Sequence, residues 1–291
     1  MAINNRYDFI MLFDVENGNP NGDPDAGNAP RIDAETGHGF VTDVCLKRKI
    51  RNYIELINDS GLYTEDGKGY NILIKPDKAL NAKFTDAYIK EGLELKQKGK
   101  KQDDVIKARD YMCRNYYDVR TFGAVMSTGD DPCGIVRGPV QINFARSLSP
   151  INIQDVTITR QARTTEDRQA KSGETEMGRK SVIPYALYRA EGYISAALAQ
   201  KTDLSDKDVD ILWEAILNMF EHDHSAARGK MCMRKLYIFK HNNILGECPS
   251  YILFDKIKVS PKNKELPPRS FEDYTITVDN NMPENVKFLE R

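Results

Sequence analysis

The 291-residue sequence has no apolar stretch long enough to cross a bilayer. Its first apolar run, Phe9–Phe13, is closed by Asp14, far short of the ~18–20 residues a spanning helix needs. No cleavage-site pattern follows that run, so no signal peptide is expected and a cytoplasmic location is. There is no C-x-x-C pair: Cys45, Cys113, Cys133, Cys232 and Cys248 are scattered. That spacing speaks against a zinc ribbon or thioredoxin-type site and for reduced thiols. Walker A, G-x-G-x-x-G, H-E-x-x-H and G-x-S-x-G motifs are missing, so no cofactor and no metal are expected. An excess of one charge is missing too. With 42 basic and 43 acidic residues, the chain is not a uniformly basic nucleic-acid binder.

What is present is charge sorted into blocks. Residues 14–35 hold Asp14, Glu16, Asp23, Asp25, Asp33 and Glu35 against Arg31 alone. Residues 44–54 carry Lys47, Arg48, Lys49 and Arg51 with no acid, and residues 228–240 carry Arg228, Lys230, Arg234, Lys235 and Lys240 with none. Residues 272–291 are acidic again. Alternating blocks suit a surface with a basic groove and separate acidic faces, able to meet a polyanion and other copies of the chain.

The residue pattern is that of an α+β chain, since strands and helices mix without regular alternation. Strands are expected at 7–15, 70–75, around Val140, Ile142 and Phe144, at 156–159, 231–240, 251–259 and 274–278. A helix should start at the Thr42 cap, burying Leu46, Ile50, Tyr53, Ile54 and Ile57 and presenting Lys47, Arg48 and Arg51 on its exposed side. Residues 83–118 read as helical with a break at 97–101, and 120–129 as a turn region. Ser205 and Asp208 form a capping-box pattern before a helix in which Trp213 belongs to the core. Residues 160–180 contain almost no large apolar side chain and should project as a loop, hairpin or arm.

Several constellations invite a chemical reading. Asn17–Asn28 overlays a calcium loop at Asn17, Asn19, Asn21, Gly22, Asp23, Asp25 and Asn28, but with amides at the first three ligand positions and no closing Glu. His222 and His224 flank Asp223 and, at successive helical positions, would not converge on one metal. A metal-independent endoribonuclease would have to use His222, His224 or His38 as general acid or base. The remaining features are electrostatic. Lys47, Arg48 and Arg51, then Arg120 beside Thr121, Phe122 and Gly123, then Arg137 and Gln141 bracketing a Gly-Pro turn, supply cations, small polar groups and glycine amides of the kind a phosphodiester backbone needs.

The segment YDFIMLFDVENGNPNGDPD at 7–25, the pair Pro30-Arg31, VTDVCLKRKIR at 41–51, RTFGAVMS at 120–127, RGPVQI at 137–142 and the 160–180 arm resemble the CRISPR Cascade backbone subunit of subtype I-C. That subunit is one of the repeat-associated RNA-binding proteins with an RRM-like palm, and the resemblance spans essentially the whole chain. It implies a ferredoxin-like palm at 1–291 with insertions at about 16–40 and 76–118 and a projecting thumb at about 149–182. It implies a non-catalytic protein stacked head to tail along CRISPR RNA, the guide then pairing with target DNA. The other Cascade subunits, and indirectly a helicase-nuclease, would be partners. Arg31, Lys47, Arg48 and Arg51 would meet RNA phosphates, with Arg120, Thr121, Phe122, Arg137 and Gln141 beside the strand and Arg160, Arg163 and Met177 near a displaced base. The acidic stretch at 14–35 would face basic blocks on neighbouring copies.

Overall fold

The computed structural model describes residues 1–61, 67–95, 100–160 and 176–291. In chain order its elements are β1 (Tyr7–Gly18), β2 (Gly22–Asp23), β3 (Ala29–Pro30), β4 (His38–Val41), α1 (Asp43–Asp59), α2 (Leu80–Lys90), α3 (Gln102–Asn115) and α4 (Tyr117–Phe122). There follow β5 (Gly123–Met126), β6 (Gly134–Arg137), β7 (Val140–Ile142), β8 (Ala145–Pro150), β9 (Gln154–Arg160) and β10 (Glu176–Ile194). The chain ends with α5 (Ala196–Thr202), α6 (Asp206–Asn218), β11 (Lys230–His241), α7 (Ser250–Phe254), β12 (Ile257–Pro261), β13 (Tyr274–Val278) and β14 (Val286–Glu290).

The main sheet is antiparallel and runs β14-β11-β1-β10-β8-β4, with β7 and β9 also pairing with β10. Within it β1, β7–β8, β10 and β11, with α1 after β1 and α6 before β11, reproduce the ferredoxin-like order, the last strand beside the first and the third between the first and the second. The fold is therefore the α+β palm expected.

Strand β1 is apolar on both sides because both faces of the sheet are covered. Successive side chains of a strand point to opposite faces. Phe9, Met11, Phe13 and Val15 join Leu46, Ile50 and Ile54 of α1 and Val209, Leu212, Trp213 and Ile216 of α6 in one core. Trp213 meets Phe9 edge-on at 5.1 Å, so it is a core residue. Ile10 and Leu12 enter a second core with Leu187, Tyr237, Phe239, Leu253, Phe254, Ile257 and Tyr274. Thus α7 and the β12–β13 hairpin cover the sheet face opposite the helices. A third core lies under α2, α3 and the β5–β6 hairpin and contains Phe84, Tyr88, Ala108, Met112, Val119 and Met126.

Caps and turns set the element ends. Thr42 Oγ1 accepts the Cys45 amide at 3.3 Å and starts α1. Just past the helix, Gly61 takes φ 72°, a left-handed conformation that glycine adopts without penalty. The Ser205–Asp208 capping box is complete in both directions.

Four elements differ from the expectations. Residues 70–75 form no strand. The Leu73 and Ile74 amides donate to the buried Asp118 carboxylate (2.8 and 3.1 Å), which withdraws them from any ladder. Residues 251–254 are helical, closed by the Asp255 amide on the Tyr251 carbonyl, and only Ile257–Pro261 is strand. The 120–129 region is not a turn, because Arg120–Phe122 close α4 and β5 follows at once. Strand β14 carried too little alternation to be expected. Pairing with β11 makes it an edge strand.

Candidate nucleic-acid interface

The Lys47 helix and the RTFG and RGP motifs, remote in sequence, come together. Gly123 pairs with Arg137 in the β5–β6 ladder. A Cβ on Gly138 would lie 2.0 Å from the Phe122 carbonyl carbon. Two glycines therefore let the motifs cross backbone to backbone, which no larger residue permits. Phe122, at the end of α4, receives Lys47 Nζ at 5.8 Å and the Arg51 guanidinium at 5.3 Å from its ring centre. Such cation–ring contacts fix the two long side chains against an apolar floor.

The three candidate bases among the four on α1 are not equivalent, which corrects the expectation of one exposed basic face. Arg48 alone is exposed. Lys47 is ion-paired to Asp43 one turn earlier (2.9 Å). Arg51 is mostly buried and donates from Nε to Asp118 at 2.9 Å. Lys49, which sequence reasoning left out of the candidate site, is buried and paired to Asp223, which also takes Arg228. Together with Arg31, these charges surround Cys45, whose thiol is nevertheless pushed up by burial against the opposing pull of Lys49 and Arg228.

Arg120 and Thr121 are interior, contrary to the expectation that they flank a strand of RNA. Arg120 is fully buried. It donates from Nε and Nη2 to Asp208 Oδ1 (3.0 and 2.8 Å) and from Nη1 to the Gly69 carbonyl (2.6 Å). Its guanidinium lies between the rings of Tyr70 and Tyr117. Burial holds the Tyr117 hydroxyl well above its ordinary pKa, so it remains a donor to the Asp208 carbonyl at 2.9 Å. Asp208 thus caps α6 with one oxygen and anchors Arg120 with the other.

Arg137 and Gln141 are exposed, and Gln141 Nε2 closes the intervening turn on the Gly138 carbonyl at 3.1 Å. Arg31 is ion-paired to Asp23 at 3.4 Å. Its Nε is buried without a hydrogen-bond partner. Strands β9 and β10 pair from Gln154–Val182 out to Arg160–Glu176, with Met177 opposite Thr159. The backbone positions of Arg160 and Met177 therefore lie at the outer end of this strand pair, and Arg163 lies outside the described residues. At the base of the pair, Arg179 and Lys180 line a pocket of about 140 Å³ with Asn19, Asn28 and Ala227.

Several acids of the 14–35 stretch are paired to bases within the chain. Asp14 pairs with Arg234 (2.8 Å) and Glu16 with Lys230 (3.5 Å) across the β1–β11 ladder, and Asp33 pairs with Arg146 (3.6 Å). The β1–β11 register shifts at Leu12/Phe13. The extra residue, Arg234, reaches Asp14 there, as a bulge re-aims a side chain. Burial pushes the Asp14 carboxyl up, while Arg234 and Tyr185 pull it back.

The histidines do not assemble a site. His38 Nδ1 is bonded to the Ser147 carbonyl at 2.7 Å, and the His222 ring lies 6.0 Å from that of Tyr53. The fourth histidine, His241, is buried. It accepts the Glu247 amide on Nδ1 (2.9 Å), which leaves Nε2–H to donate to Asp8 (2.9 Å). Among the described residues no group of three or more His, Cys, Asp or Glu side chains is placed to hold a metal ion. Among the same residues, no helix is long and apolar enough to cross a membrane.

A ferredoxin-like palm, backed by a third layer on the sheet face opposite its helices, defines the structural class. The chain belongs to the family of CRISPR-associated protein Cas7, whose sequence profile matches residues 5–279. It is 27% identical over 239 residues to "CRISPR-associated protein Cas7" of Haloferax volcanii, covering 75% of this chain and 66% of that relative, just under two thirds of its length. Its fold is similar to a chain in a solved structure described as "CRISPR RNA-guided surveillance complex, pre-nicking", with TM-score 0.50 at 16% identity over 80% of this chain and 75% of that one.

Proposed function

We propose that this protein is the non-catalytic, CRISPR-RNA-binding backbone subunit of a subtype I-C Cascade complex. Copies stack head to tail along the guide, hold its phosphates and leave its bases to pair with target DNA. The remaining Cascade subunits, and indirectly a helicase-nuclease, are its partners. Family membership supports the reading, and the motifs at 7–25 and 41–51 support the subtype. The observation that carries it is the convergence of Lys47 and Arg51 on Phe122, with Arg137 in the ladder beside it, built from three separate stretches of chain.

In this reading Arg48, Arg137 and Arg31 meet phosphates. Lys47 and Arg51 lie over Phe122 as the apolar and cationic floor, and Gln141 holds the turn. Arg120 and Thr121 act from inside, fixing Phe122. Arg160, Arg163 and Met177 belong to the arm that crosses the strand. Sequence information resides in guide–target pairing, so the protein needs shape and phosphate contacts rather than base readout.

The test is RNA affinity of the full chain as a function of salt. Arg48→Ala with Arg137→Ala should weaken binding uniformly across RNA sequences. It should also lower the slope of log K against log salt by about 1.4, at about 0.7 per phosphate contact on a single strand. Unchanged retention at moderate salt overturns the assignment. Specific cleavage of labelled repeat RNA, lost in His222→Ala or His38→Ala, would instead establish an endoribonuclease.

A further inference from the structure

A second cationic feature opens on the far side of Arg137. A pocket of about 430 Å³ lies between α3, β6 and α5, lined by Arg109, Ile135, Val136, Arg137, Leu198, Lys201 and Thr202. Three of these residues are cationic. Lys201 and Arg137 are exposed, and Arg109 is ion-paired to its exposed chain neighbour Asp110 at 3.1 Å. The remaining polar residue is Thr202, only 3% exposed. Its hydroxyl Oγ1 is buried without a hydrogen-bond partner. The two apolar walls, Ile135 at 64% exposure and Leu198, are unusual beside three cations and suit the carbon face of a sugar.

We propose that this pocket seats one phosphodiester group of a nucleic-acid strand. Arg109, Arg137 and Lys201 neutralise the phosphate, and Ile135 and Leu198 flank the adjoining ribose. The inference rests on the RNA-binding reading and deepens it. Arg137 stands between the two features, so a strand lying along α1 and Phe122 continues past β6 into this pocket. Neither α3 nor α5 carried a sequence signal for it. Arg109 is one of three bases on α3 and Lys201 the one base of α5, and only the tertiary packing brings them to one pocket.

The test uses the full chain and two ligands, a guide-length single-stranded RNA and the same RNA paired to a complementary DNA strand. Lys201→Ala and Arg109→Ala should each weaken binding several-fold and lower the salt slope by roughly 0.7. Losses with both ligands place the guide strand in the pocket, and a loss only with the paired ligand places the complementary strand there. If Arg48→Ala weakens binding but every pocket variant matches wild type with both ligands, the pocket assignment fails and the RNA-binding reading stands. If the wild-type chain binds neither ligand, both fall together.

Discussion

Two arginines in recognisable motifs, Arg48 and Arg120, have opposite roles that burial alone separates. Arg48 is exposed on α1, so Arg48→Ala should alter stability by no more than about 0.5 kcal/mol. Arg120 is fully buried against Asp208 and between two tyrosine rings. Breaking a buried pair strands the other charge and costs about 3–5 kcal/mol. Arg120→Ala should therefore lower the urea midpoint sharply, while Arg48→Ala leaves it in place. Equal midpoints would remove Arg120 from its structural role. The same contrast shows what was readable at these positions. That the RTFG motif mattered was legible; that its arginine faces inward was not, because its partner Asp208 lies 88 residues away.

Secondary structure was best read where one local force dominated. Helices α1 and α6 were expected from their caps and apolar spacing, and both stand as expected. Residues 70–75 and 251–254 were misread because a distant group settled their conformation: the Asp118 carboxylate for the first, the second core for the side chains of the other. The β5–β6 hairpin sits at the crossing of the two motifs, and that crossing depends on Gly138. A methyl there would meet the Phe122 backbone. Gly138→Ala should cost about 1–3 kcal/mol, as overpacking commonly does. It should also displace Phe122 from under Lys47 and Arg51, seen as a lower melting temperature together with weaker RNA binding. A variant with wild-type melting and binding would show that the close approach is dispensable.

The molecule as assembled has a palm whose second sheet face is closed. In an open RRM-like sheet, bases stack on aromatic residues of the exposed face. Here Tyr237, Phe239, Ile10 and Leu12 lie beneath α7 and β12–β13, so nucleic acid has no access to that face and the candidate interface moves to the helix side and the hairpin. Removing residues 250–291 would uncover this apolar face and take away the edge strand β14. Such patches drive association. The truncated chain should elute as aggregate in size-exclusion chromatography, and a stable monomer would contradict the role given to this layer.

The local chemistry of the chain was enough to set its class. Apolar runs and two capped amphipathic helices specify an α+β chain, because caps, periodicity and hydrophobic burial act within a few residues. The motif strings carried the family resemblance as well. Which cations face solvent, which serve as internal pins, and which acids they meet was settled by folding. Ion pairing depends on through-space distance, and the pairs Arg120–Asp208, Lys49–Asp223 and Arg234–Asp14 join residues that nothing along the chain connects.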